Sequence, residues 1–236
     1  MAVLVSSLLG TFLGGRLPEK MRQTVIGGLG LVTAVVGMQM ALSTQNVLLV
    51  MGSVLVGGIM GEWWHIEEGL EAAGRWLEDR VGGRGRDTVD QGPAGERSVT
   101  RAFVTASLVF CVGPMTILGS IQDGLTGDYN LLAIKSMLDG FAALAFSAAM
   151  GPGVILSVLT ILIFQGGLSL AAMGIGGALG EVTRQTPWVI EMTATGGVLM
   201  LGISLLLLDL NRLRVANLLP AVFIAPLVQV ALEALR

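Results

Sequence analysis

Eight stretches of this chain are nearly free of charged residues, and each is bounded by charge or turn residues. They run at about 2–15, 24–42, 47–64, 99–121, 131–150, 154–180, 188–208 and 215–234. An α-helix needs about 20 apolar residues to cross the hydrocarbon of a bilayer, and most of these runs reach that length. A soluble globule of 236 residues has no interior large enough to hold them. Charged residues make up 13% of the chain, where a soluble domain carries about 25%. One Cys rules out a disulfide scaffold, and one His beside it leaves no zinc or iron–sulfur ligand set, so no cofactor or metal is expected. A net charge of −3 with scattered basic residues argues against nucleic acid. The expected class is an all-α polytopic membrane protein, a single membrane domain over 1–236 with about eight transmembrane segments, or seven. Its first partner is the lipid bilayer.

The first run lacks a basic leader, and Arg16-Leu17-Pro18 follows it in place of a small-residue cleavage site. It is therefore expected to be a membrane segment, though a short one, and not a cleavable signal. Lys and Arg set the orientation. Arg16, Lys20 and Arg22 lie between runs one and two. Arg75, Arg80, Arg84, Arg86, Arg97 and Arg101 lie between three and four, and Arg212 and Arg214 between seven and eight. With eight spans, all of these fall on one side. That count predicts a cell (inner or plasma) membrane protein with a cytoplasmic 65–98 loop and both termini outside.

The long loop has two parts. Trp63, Ile66, Leu70, Ala73, Leu77 and Val81 recur every three or four residues among acidic positions, which predicts an amphipathic helix over 62–81 continuing from span three. From 82 to 98 the chain is Gly, Pro and charge, the composition of a flexible linker. An internal repeat is also legible. Leu17-Pro18 is followed nine residues later by Gly27-Gly28, and Thr186-Pro187 nine residues later by Gly196-Gly197. A Gly-rich helix ending precedes each Pro, at 10–14 and 176–180. Halves 1–64 and 170–236 would then flank central spans over 99–150 in inverted orientation, a plan common among transporters. The sixth run, broken by glycines, reads either as one helix or as a span plus a half-helix. The Gly10-x-x-x-Gly14 and Ser53-x-x-x-Gly57-x-x-x-Gly61 series allow close helix contact or a homodimer.

Several segments carry a resemblance. They are Leu108 to Gly113, Ile117 to Asp128, Lys135-Ser136-Met137-Leu138-Asp139-Gly140-Phe141, Arg16-Leu17-Pro18-Glu19, Gly61-Glu62, Thr193 to Gly197, and Val215 to Pro220. Together they resemble the YqgA-like family of bacterial and archaeal membrane proteins, a domain of unknown function (DUF554). The resemblance covers the chain except for 82–98. It implies an integral membrane protein and a transport role, and it implies no substrate.

The residues themselves point to candidate chemistry. Lys135 and Asp139 stand at i and i+4 in the fifth run, so they share one helix face. Charges in hydrocarbon face a bundle interior or a wet cavity. With the Ser136 hydroxyl they read as an ion or proton site, the structural alternative being an ion pair whose Lys snorkels to the outer rim. Glu191 lies just inside the seventh run among Thr193, Thr195 and the glycines Gly196 and Gly197. There it either helps bind an ion or caps the helix start after Pro187. Gly113-Pro114 interrupts the fourth run and is followed by polar Gln122 and Asp123. Asn217 to Pro220 interrupts the eighth. Gly113, Pro114, Gly196, Gly197 and Pro220 are thus the expected helix breaks, where freed backbone groups can bind a solute. Asp139 is expected to meet Glu191, Asn217 or the Gly113-Pro114 break around a polar cavity. No nucleophile pair or phosphate loop is present, so no enzyme is expected. The expected function is secondary transport of a small solute or ion coupled to H⁺ or Na⁺. The alternatives are an oligomeric channel, or a non-transporting membrane partner working through 62–81.

Overall fold

Apolar runs without water nearby must satisfy their backbone internally, and the helix does this within one segment. The computed structural model describes residues 1–81, 99–175, 182–211 and 213–235. Ten α-helices are seen there: α1 (Ala2–Gly14), α2 (Glu19–Ala41), α3 (Val47–Trp63), α4 (Ile66–Val81), α5 (Val99–Val112), α6 (Pro114–Thr126), α7 (Asn130–Met150), α8 (Gly153–Ile175), α9 (Pro187–Leu207) and α10 (Leu219–Ala234). A 3₁₀ turn, Val215–Leu218, leads into α10. Their ends follow local chemistry. The Asn46 side chain accepts the Leu49 N–H at 3.3 Å and caps α3. Prolines open α6, α9 and α10, where their missing N–H costs nothing. Gly127 closes α6 in the left-handed region at φ 72.

Small residues decide how these helices pair. Lipid provides no hydrophobic force between helices, so close backbone approach carries much of the association. Gly30 of α2 faces Leu208, and Gly37 faces Gly197 and Leu201, so α2 and α9 pack antiparallel. Gly57 and Gly61 of α3 face Ala221 and Asn217, so α3 and α10 are antiparallel too. A Cβ on Gly61 would collide with the Asn217 carbonyl. α1 and α7 run parallel, with Gly140 against Ala2 and Ser6, Gly10 against Leu144 and Ser147, and Gly14 against Ala148. α8 runs parallel to α5 and α6 in turn. Gly153 faces Val99 and Ala102, Ser107 donates to Thr160 at 3.1 Å, and Gly124 faces Ser169 and Ala172. The resulting bundle has a basic end, carrying Arg16, Lys20, Arg22, Arg75, Arg80, Arg101 and Arg214, and an opposite end at the α2–α3 loop and the start of α9. Pro18 and Pro187 stand at opposite ends of the antiparallel α2–α9 pair.

The protein is an all-helical membrane protein. Among the described residues, five helices are long and apolar enough to cross a membrane, and up to seven if each bent pair, α3–α4 and α5–α6, is one span. The expected eighth, α1, has 13 residues and falls short of that length. Three expectations are corrected. The amphipathic helix does not continue span three: Trp64 and His65 turn the chain, His65 at φ 53, and α4 leaves at 53° to α3. Gly196 and Gly197 break nothing, because α9 runs through both. Glycine, unlike proline, has a backbone N–H, and the ladder continues. Pro220 stands in the first turn of α10 and starts a helix instead of interrupting one, while Pro226 lies inside it. α8 is continuous to Ile175. The 82–98 linker and the 176–180 glycines lie outside the described residues.

Candidate functional site

The polar residues singled out by sequence occupy three separate places. The first is at mid-height of the bundle. Lys135 and Asp139 form an ion pair along α7. Asp139 is one residue from the midpoint of that 21-residue helix. Lys135 is 5% exposed and Asp139 is largely buried. Each charge is therefore neutralised where water cannot reach it freely, the arrangement that makes an intramembrane pair tolerable. Cys111, in the last turn of α5, lies within electrostatic reach of both.

Beside it the chain breaks. Pro114 has no N–H for the Phe110 carbonyl, and the Thr116 hydroxyl supplies the missing donor at 2.9 Å. The Thr116 N–H turns to the Gly113 carbonyl at 3.0 Å, and α5 and α6 meet at 59°. The Val112 carbonyl at this break faces Gly196 of α9, where a methyl group would stand 3.0 Å from it. Gly196 of α9 thus meets Val112, the last residue of α5 before the Gly113–Pro114 break. Ser136 points away, exposed, and donates to the Ala133 carbonyl at 2.9 Å. Thr195 is buried but donates to the Glu191 carbonyl at 2.8 Å, and Thr193 is half-buried.

The second place is the opposite end. The Glu191 carboxylate is 2% exposed and accepts the Thr44 hydroxyl at 2.6 Å, the Gln45 N–H at 2.8 Å and the Asn46 N–H at 3.1 Å. It clamps the α2–α3 loop against α9. These donors open α3, so its positive N-terminal end adds to the attraction. Gln122 donates to the Val182 carbonyl at 3.2 Å near this end, and the Asp123 carbonyl takes the Gly127 N–H at 2.8 Å.

The third place is the basic end. Buried Asn217 donates to Glu62 at 2.6 Å and accepts the Glu67 N–H at 2.8 Å. Glu67 accepts the Ala216 N–H at 3.0 Å in return, and Arg214 donates to Glu62 at 2.7 Å. The start of α4 and the 3₁₀ turn before α10 therefore cap each other. Burial pushes the Glu67 carboxyl above its ordinary value of 4.5, with the Ala216 hydrogen bond opposing.

Asp139 is hydrogen-bonded to Lys135 and reaches neither Glu191 nor Asn217, whose hydrogen-bond partners lie elsewhere. Thr44, Glu62, Glu67 and Arg214 carry roles that sequence reasoning did not assign. Their signal was weak, since a polar residue beside a turn is common. Among the described residues no cluster of three or more His, Cys, Asp or Glu could hold a metal.

Comparison with known proteins points one way. Residues 1–230 match DUF554, a "Protein of unknown function". The chain is 30% identical over 225 residues to "Uncharacterized protein YqgA" of Escherichia coli (strain K12), covering 95% of this chain and 91% of the relative. It is 32% identical over 131 residues to "Uncharacterized membrane protein YdfK" of Bacillus subtilis (strain 168), covering 56% of this chain and 55% of that one. No solved structure matches.

Proposed function

The chain belongs to the DUF554 family, and on that premise we propose that it is a secondary transporter of a small solute or ion in the cell membrane, coupled to H⁺ or Na⁺ through Asp139. The observation that carries this reading is the buried Lys135–Asp139 pair at mid-height of α7, next to the broken α5–α6 span. A buried pair is costly compared with apolar residues of the same size. A half-helix boundary frees backbone groups where a solute can bind. The two features together suit a site that exchanges a cation or proton for cargo. The antiparallel α2–α9 and α3–α10 pairings support reading the two ends of the chain as inverted halves. By the distribution of Lys and Arg, the basic end is cytoplasmic and the C-terminal end of α10 is outside. On this reading Glu191 closes the outer face and the Asn217 cluster the inner face, so neither is an ion ligand.

The test is a solute-stabilisation screen on purified protein followed by uptake into proteoliposomes. A bound solute raises the melting temperature by mass action. Asp139→Asn, which lowers the melting temperature by leaving the buried Lys135 charge without its counter-ion, is expected to abolish coupled uptake in the fraction that folds and reconstitutes. Uptake at the wild-type rate in that variant would discard the assignment.

A further inference from the structure

Of the five long spans, α8 is the one that the rest of the chain covers least. In its most apolar stretch 11% is buried, against 67% in α9. Leu159, Leu162, Ile163, Leu170 and Met173 are all exposed, so one side of α8 faces lipid in the single chain. Lipid asks for no polar side chain, yet Gln165 stands one residue from the midpoint of this 23-residue helix. It is half-buried, and its amide makes no hydrogen bond among the described residues.

The other polar side chains of α8 are provided for. Ser157 donates to the Val154 carbonyl at 2.7 Å, and Thr160 accepts from the Ser107 hydroxyl at 3.1 Å. The short side chain of Ser169 can turn to the carbonyl one turn back. A glutamine amide is harder to satisfy. It carries two donors and an oxygen with two acceptor positions, and no water meets them in hydrocarbon. The register that sets Gly124 of α6 against Ser169 makes Ser120 level with Gln165. That hydroxyl is 0% exposed, and the two make no hydrogen bond. One hydroxyl would in any case leave most of the amide unmet.

The helix surface beside Gln165 admits a close neighbour. Leu162, Gly166, Ser169 and Met173 follow at three- or four-residue spacing, so they lie along one side of α8 with Gln165 at its edge. A Cβ on Gly166 would meet nothing within 4 Å. A small residue at such a place lets two helix backbones approach. The glycine series that the sequence offers for a homodimer are already taken inside the chain: Gly10 and Gly14 face α7, and Gly57 and Gly61 face α3's partner α10.

We propose that two copies of the chain pair in the membrane along α8, with their Gln165 amides hydrogen-bonded to each other. Chemistry and symmetry select the occupant. An amide is its own complement, because its N–H donates where its C=O accepts. Two copies inserted with the same topology are related by a two-fold axis along the membrane normal, and a two-fold interface sets the same patch against itself. The two α8 helices then run parallel, and each residue stands level with its counterpart. Gln165 meets Gln165 at mid-depth, where water does not compete for the bond. An acyl chain on this face would leave the amide without a partner. The pairing is independent of the reading of Asp139.

The test uses the full-length chain in a Cys111→Ala background. Leu162→Cys is oxidised in native membranes with copper phenanthroline and is expected to give a disulfide-linked dimer. Leu55→Cys, at the midpoint of α3 and 61% exposed, is the control at similar depth and is expected to stay monomeric. The dimer dissociation constant is then measured by single-molecule photobleaching of labelled protein in liposomes over a series of protein-to-lipid ratios. Gln165→Leu is expected to raise it about tenfold, the effect of losing an interhelical hydrogen bond in lipid. Diluted in detergent to the monomer, Gln165→Leu is expected to melt at or above the wild-type temperature, so weaker pairing cannot be laid to misfolding. A wild type that stays monomeric at every ratio, equal cross-linking at Leu162→Cys and Leu55→Cys, or a dissociation constant unchanged in Gln165→Leu overturns the proposal. Each of these leaves the Asp139 reading standing, because the readout is assembly and not uptake.

Discussion

Lys135 and Asp139 are stable in the bundle because each is the other's counter-ion, so removing one alone is worse than removing both. A single Lys135→Met or Asp139→Leu change leaves a buried charge unpaired, at a cost of about 3–5 kcal/mol. The double variant is expected to recover most of the wild-type melting temperature while remaining inactive in uptake. Equal melting of single and double variants would mean that the pair is not desolvated. Glu67 makes a pH prediction. Its folded carboxyl titrates above 4.5, so between 4.5 and the raised value the folded state holds more protons than the unfolded state. Acidification through that window stabilises the fold, and the gain is lost as pH rises through the folded value. Glu67→Gln keeps an acceptor for the Ala216 N–H and is expected to flatten this step in a series of melting curves against pH.

At the scale of elements, discontinuities are held by side chains from distant helices. Glu191 holds the α2–α3 loop with three hydrogen bonds. Glu191→Ala orphans those donors and is expected to lower the melting temperature and to speed proteolysis within 43–46, whereas Glu191→Gln retains most of the order. The close approach of α3 to the turn before α10 makes a second test. Gly61→Ala drives a methyl group into the Asn217 carbonyl, an overpacking change of about 1–3 kcal/mol. Gly52→Ala, where no atom lies within 4 Å, is the matched control and is expected to melt like wild type.

For the whole molecule, the pairing of helices and the asymmetry of charge make one orientation prediction. In a Cys111→Ala background, Glu68→Cys at the basic end is expected to be protected from an impermeant thiol reagent in intact cells, and Asp128→Cys at the other end to react. The reverse labelling would invert the proposed topology. α1, with 13 residues, packs along α7 through Gly10 and Gly14, as a membrane helix does.

Much of this was legible in the chain itself. The apolar runs, the Lys135–Asp139 spacing and the Gly113-Pro114 break follow from hydrophobicity, the 3.6-residue period and a missing N–H, all of them local. What only the tertiary structure decided was where polar side chains find partners. Glu191 bonds a loop about 146 residues away, and Asn217 bonds Glu62 and Glu67 across at least 150 residues. A carboxylate beside a helix start reads identically whether it binds an ion, caps its own helix or clamps another. The glycines are the same case. Gly196 and Gly197 look like a break in sequence and act as contacts in space, because an absent side chain reports room for something without naming what fills it. Helix pairing fills it, and that pairing is a property of the bundle as a whole.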